Sequence, residues 1–127
     1  MPKGTEFLMI GTNMITQSSF GDITEEFIRV RKERKLHSRA IFPDLPYNRE
    51  FMQRDKEELR QTRLLPSDKF IPRKLTYIVG DVIADIAHIE TEPFATVIQS
   101  AASAYDEKQK FELLWEMAKK TEEIASK

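Results

Sequence analysis

The stretch Lys74-Leu75-Thr76-Tyr77-Ile78-Val79-Gly80-Asp81-Val82-Ile83-Ala84-Asp85-Ile86-Ala87-His88 separates two halves of the chain that follow different rules of connection. Its flanks are rich in β-branched and apolar residues, and Gly80-Asp81 is a two-residue junction of a glycine and a turn-tolerant residue. The spacing predicts strands over 74–79 and 82–88, joined as a tight antiparallel hairpin. Downstream, 90–93 turns the chain ahead of Phe94-Ala95-Thr96-Val97-Ile98, a final strand. From Ala101 onward, Tyr105, Phe111, Leu114, Trp115, Ala118 and Ile124 recur near one side of a helix up to ~24 residues long, about 36 Å at 1.5 Å per residue.

Upstream, the loop over 66–72, with two prolines and a Ser-Asp pair, is where crossover connections give way to local hairpins. Before it, the apolar run Phe7-Leu8-Met9-Ile10 closed by Gly11 reads as a strand covered on both faces. Apolar residues at Phe20, Ile23, Phe27 and Val30 predict a helix over 20–34, which Ser18 or Ser19 could cap. Residues 36–42 supply a second strand, stopped by Pro43-Asp44-Leu45-Pro46. The charged stretch 47–60, apolar only at Phe51, Met52 and Leu59, predicts a surface helix, and 61–65 a short third strand. The order β-α-β-α-β then β-β-β-α predicts an α/β fold. Its mixed sheet has parallel βαβ crossovers in the first half, an antiparallel hairpin in the second, and helices on both faces.

With 127 residues the chain is the size of one domain. Its 20 Lys+Arg against 21 Asp+Glu give a net charge of −1, without the bulk positive field that drives binding to a phosphate backbone. The absence of cysteine removes thiolate chemistry and Cys-based metal sites and fits a reducing compartment. No apolar run of ~18 residues and no signal-peptide pattern is present, so the expected location is the cytoplasm, away from membranes.

The two histidines, His37 and His88, lie on separate strands with no His-x-x-x-His spacing, which suits structural roles better than metal ligation; no cofactor is expected. His37-Ser38-Arg39 with Asp44 superficially matches a phospholipase D nucleophile signature. Arginine is a poor stand-in for its lysine, and the downstream Gly-Ser pair is missing. Arg29, Arg31, Lys32, Arg34, Lys35 and Arg39 form a basic run, read as cations at a helix C-terminus rather than a phosphate patch. Arg49-Glu50, Arg54-Asp55-Lys56-Glu57-Glu58 and Arg60 read as ion pairs on a solvated helix face. Four glycines cannot build a dinucleotide or Walker loop. What remains is geometric. Ligands of such sheets gather outside the carboxyl ends of strands, which singles out Thr12, Asn13, Asp44, Gln99 and Ser100, a set suited to a small polar, sugar-like ligand. Capping is the competing role for each of them.

The stretches Ala40-Ile41-Phe42-Pro43-Asp44, Arg49-Glu50-x-x-x-Arg54-Asp55-x-Glu57-Glu58-Leu59-Arg60, Arg63-Leu64-Leu65-Pro66, Tyr77-Ile78-Val79-Gly80-Asp81 and Phe111-Glu112-Leu113-Leu114-Trp115-Glu116 come in an order that resembles the C-terminal effector domain of TrmB-type transcriptional regulators. The resemblance implies a phospholipase D-like fold that has lost its catalytic residues. With Asp81 in the place of that superfamily's aspartate, Lys74 and Thr76 fall where its histidine and lysine should be. It also implies a non-catalytic effector domain over 1–127 that senses a ligand or reports a state, as a homodimer. DNA contact would then belong to an N-terminal winged-helix domain that this chain does not hold. Two other readings stay open: a phosphodiesterase of the phospholipase D class using His37 or His88, and a structural dimer platform built on the exposed face of the last helix.

Overall fold

A computed structural model of the chain describes residues 6–12, 29, 33–87 and 94–118. The predicted helix over 20–34 lies almost wholly outside these residues, as do Asn13, Ser18, Ser19, His88, the 90–93 turn and Ile124. The described elements are β1 (Phe7–Gly11), β2 (Ser38–Pro43), α1 (Pro46–Met52), β3 (Arg60–Leu65), β4 (Leu75–Val79), β5 (Val82–Ala87), β6 (Phe94–Gln99) and α2 (Ala101–Met117). They build one six-stranded sheet in the order β3-β2-β1-β4-β5-β6. β1 pairs with β2, and β2 with β3, in parallel; β1–β4, β4–β5 and β5–β6 are antiparallel. The mixed α/β sheet read from the sequence is therefore present, with the change of direction between β3 and β4.

Alternation along the strands sends side chains to two faces, and each face has its own core. Leu8, Ile41, Leu65, Ile78 and Ile83 pack against Ala104, Phe111 and Trp115 of α2. Ala40, Phe42, Leu64 and Leu75 pack against Phe51 and Met52 of α1. Helices thus cover opposite faces. α2 starts from a built N-cap, where Ser100 Oγ accepts the Ser103 N–H at 3.1 Å. A latch on β2 then fixes the helix across the sheet. The Arg39 guanidinium bonds both oxygens of Glu112 (2.7 and 2.8 Å) and both of Glu6 (2.9 and 3.1 Å), and lies 5.2 Å from the ring centroids of Phe111 and Trp115. The Glu112 bond holds Arg39 above its ordinary pKa, and Arg39 in turn holds Glu112 below the usual carboxylate value. Arg39 is thus a strand residue saturated by carboxylates, not the tail of a basic run; in that run Arg29 pairs with Glu33 at 2.6 Å.

The helix predicted over 47–60 ends at Met52. Residues 53–59 form turns, Leu59 takes a positive φ of 54°, and Arg60 begins β3. The cause is tertiary. The fully buried Arg60 side chain donates to Asp55 Oδ1 (2.8 Å), Glu58 Oε1 (2.5 Å) and the Phe51 carbonyl (2.8 Å), and stacks 3.6 Å from the centroid of the Phe51 ring. Asp55 also accepts the Thr62 N–H and hydroxyl, both at 2.7 Å. Burial pushes the Asp55 carboxyl up, and the bonds from Thr62 and Arg60 work against that rise. Of the charges that an i,i+4 count assigns to a solvated face, Arg49, Glu50, Arg54, Lys56 and Glu57 are exposed, whereas Asp55, Glu58 and Arg60 form a largely buried knot at the outer side of β3.

Candidate functional site

Of the five residues singled out for the carboxyl edge, Asn13 lies outside the described residues and the other four do not share one edge. β1, β2 and β3 run the same way, so Thr12 and Asp44 follow strand ends on one edge. β6 is antiparallel to β5, which is antiparallel to β4, itself antiparallel to β1. Its carboxyl end therefore lies at the other edge, where Val82 and Gln99 are paired and the Ser100 N–H donates to the Asp81 carbonyl at 2.9 Å. Gln99 is exposed there, and Ser100 is occupied as the α2 cap. The rule about carboxyl ends belongs to parallel strands, and β6 is not one of them.

On the carboxyl edge, Asp44 is gripped by Arg49, with Nε to Oδ1 at 2.6 Å and Nη2 to Oδ2 at 2.9 Å. The pair, with Pro46, Glu50 and Gln53, lines an open cleft of about 490 Å³. Buried Asn48 donates to the Pro43 carbonyl at 2.8 Å, which holds α1 against the end of β2. Thr12 is buried, and its N–H donates to the Lys74 carbonyl at 3.1 Å, joining the end of β1 to the approach to β4.

Beside that junction lies the polar row that chemistry could use. In the hairpin register Thr76 pairs with Asp85, and Asp85 with Thr96 on the next strand. Alternation puts this row on the α2 face, next to the apolar row Ile78, Ile83 and Ile98. The Thr76 hydroxyl donates to Asp85 Oδ1 at 2.5 Å, and Lys74 Nζ approaches the same oxygen at 3.4 Å. Asp85 Oδ2 takes part in neither contact, and the side chain is 19% exposed. A carboxylate set between two threonines on the strand next to the sheet edge is an arrangement that packing alone does not require.

Lys74 and Thr76, placed by the family resemblance at the nucleophile positions, are thus together in this row, whereas Asp81 is at the far end of the hairpin. His37 is exposed at the amino edge, among the residues lining a second cleft of about 490 Å³ that also includes Glu6, Arg39, Asp55 and Arg60. Among the described residues, no three His, Asp or Glu side chains converge as a metal site would need, and no helix is long and apolar enough to cross a membrane. Asp85 is the residue that sequence reasoning missed. The signal was available, since counting outward from a two-residue turn at Gly80-Asp81 sets Thr76 opposite Asp85.

No family model matches the chain, and no curated protein matches it. Among solved structures it is similar to TrmBL2, an archaeal chromatin protein whose structure shows a novel mode of DNA binding. The TM-score is 0.61 at 18% identity, over 91% of this chain and 45% of that one. At that identity the likeness is one of fold, and the chain spans less than half the length of TrmBL2.

Proposed function

We propose that the chain is a non-catalytic regulatory domain on a degenerate phospholipase D-like scaffold of the TrmB-like kind, and that it recognises a small neutral polyol at the Thr76–Asp85–Thr96 row. The observation that carries this reading is the Asp85 carboxylate. It is part-exposed, anchored through one oxygen, and open at the other to accept hydroxyl protons. The Thr96 hydroxyl can donate and accept, and the Thr76 hydroxyl, whose proton goes to Asp85, can still accept, which suits the mixed demands of vicinal hydroxyls. The nearby cation, Lys74, faces Asp85, so an anionic ligand would have to compete with a carboxylate already in place. The row holds no imidazole of the kind a phospholipase D nucleophile needs, and His37 lies at the opposite, amino edge of the sheet.

The fold likeness to TrmBL2 supports the regulatory reading. In this reading DNA contact belongs to a part of the regulator outside the chain, and ligand binding acts by favouring one of two arrangements of the assembly. Calorimetry with neutral mono- and disaccharides, set against their phosphorylated forms, tests it. Saturable binding of a neutral sugar is expected, weakened at least tenfold by Asp85→Asn, which is about 1.4 kcal/mol. Hydrolysis of a generic phosphodiester that disappears in Thr76→Ala would overturn the non-catalytic reading.

A further inference from the structure

The two edges of the sheet are built differently. At β3, the 53–59 turns and the Arg60 knot cover the edge, and the Asp55 carboxylate takes up the Thr62 N–H. Pairing by another strand is blocked there. At β6, residues 95–99 are exposed, with Val97 at 72% and Ile98 at 48% on opposite faces. Natural edge strands are commonly blunted by lysine, proline, a bulge or a covering loop. The segment Phe94-Ala95-Thr96-Val97-Ile98-Gln99 has no charge and no proline.

Its outward groups follow from the ladder. The Ser100 N–H bonds the Asp81 carbonyl, so bonded pairs with β5 recur every second residue, at Ile98 and Thr96. The N–H and C=O groups of Ala95, Val97 and Gln99 therefore point away from the sheet. An antiparallel copy of the same strand fits them about a two-fold axis through Val97. Val97 then faces its own counterpart, Ala95 faces Gln99, and Thr96 faces Ile98. About six backbone hydrogen bonds result, two for each of three pairs, with no like charges opposed.

We propose that β6 is the site at which two copies of this chain pair edge to edge, forming a continuous twelve-stranded sheet about a two-fold axis. The occupant is a second copy because the strand is complementary to itself and carries no charge to select a different partner. Assembly stops at two because, among the described residues, β6 is the edge left open. The inference does not rest on the polyol reading: it uses none of the Asp85 contacts, and Thr96 is the one residue that belongs to both the row and the pairing strand.

Sedimentation velocity of the full chain, up to ~1 mM, is the test. The chain should dimerise. Val97→Pro, which removes a central outward N–H while leaving the ladder to β5 intact, and Val97→Lys, which opposes two ammonium groups, should each weaken association at least tenfold. Unchanged circular dichroism and unfolding midpoint would show that both variants fold. Leu113→Lys, on the exposed side of α2, should leave the dimer untouched. A monomer throughout the range would hand the edge to a strand of another protein and overturn the assignment. So would a dimer lost in Leu113→Lys but kept in both Val97 variants, or growth beyond two copies.

Discussion

Replacing Arg60 with alanine is expected to cost about 3–5 kcal/mol of folding stability, because it leaves two largely buried carboxylates without their cation. The side chain has no solvent exposure, and it binds Asp55, Glu58 and the Phe51 carbonyl while stacking on the Phe51 ring. Arg60→Lys should recover little, since a point ammonium cannot make a planar fork of bonds or the ring stack. The loss also depends on pH in a definite direction. Asp55 already has a raised pKa through burial, and removing Arg60 takes away an interaction that lowers it. A carboxyl whose folded value is above its unfolded one holds its proton more tightly in the native state, so acidification favours folding. The deficit of Arg60→Ala should therefore be smaller at about pH 4 than at pH 7. Urea unfolding at both pH values measures it, and equal deficits would contradict the assignment of Asp55 as the stranded charge.

The second large effect is expected at Gly11. A Cβ there would lie 2.0 Å from the Lys74 carbonyl oxygen, a backbone atom, at a φ of +136°. Neither the contact nor the torsion can relax without parting β1 from the approach to β4, where the Thr12 N–H meets that same carbonyl. Gly11→Ala should cost roughly 2–6 kcal/mol, combining backbone strain with overpacking. Gly80→Ala is the internal comparison. Its φ is +58° and nothing lies within 4 Å of the added carbon, so it should lose only about 1–2 kcal/mol. Thermal or urea unfolding of the two variants side by side separates steric closeness from glycine torsion alone. Equal losses would mean that the β1–β4 junction can open freely.

Much of this fold is legible because its signals are local. The Gly80-Asp81 turn fixes the hairpin, short apolar runs mark β1 and β2, and the Phe111–Trp115 spacing marks the buried side of α2. The end of α1 is not local. The alternating charges of 49–60 suit a helix surface and a buried knot equally well, and only the packing of Arg60 beneath Phe51 decides between them. The site was half legible for a similar reason. Thr12 and Asp44 follow parallel strands and lie where the strand-end rule puts them. Gln99 and Ser100 lie at the opposite edge because β6 runs antiparallel to β1, a direction that strand order along the sequence alone does not reveal. Asp85 was hidden by its setting among Ala84, Ile86 and Ala87, although the register of the hairpin pairs it with Thr76.

Recognition of a neutral polyol by Asp85 and its flanking threonines can be located on the chain residue by residue. Amide chemical-shift mapping of the full chain, titrated with the tightest-binding neutral sugar of the calorimetric panel, tests it most directly. Perturbations centred on Thr76, Asp85 and Thr96, and absent in Asp85→Asn, are the expected result. Perturbations confined to the amino-edge cleft around His37 and Arg39, or persisting unchanged in Asp85→Asn, would contradict it.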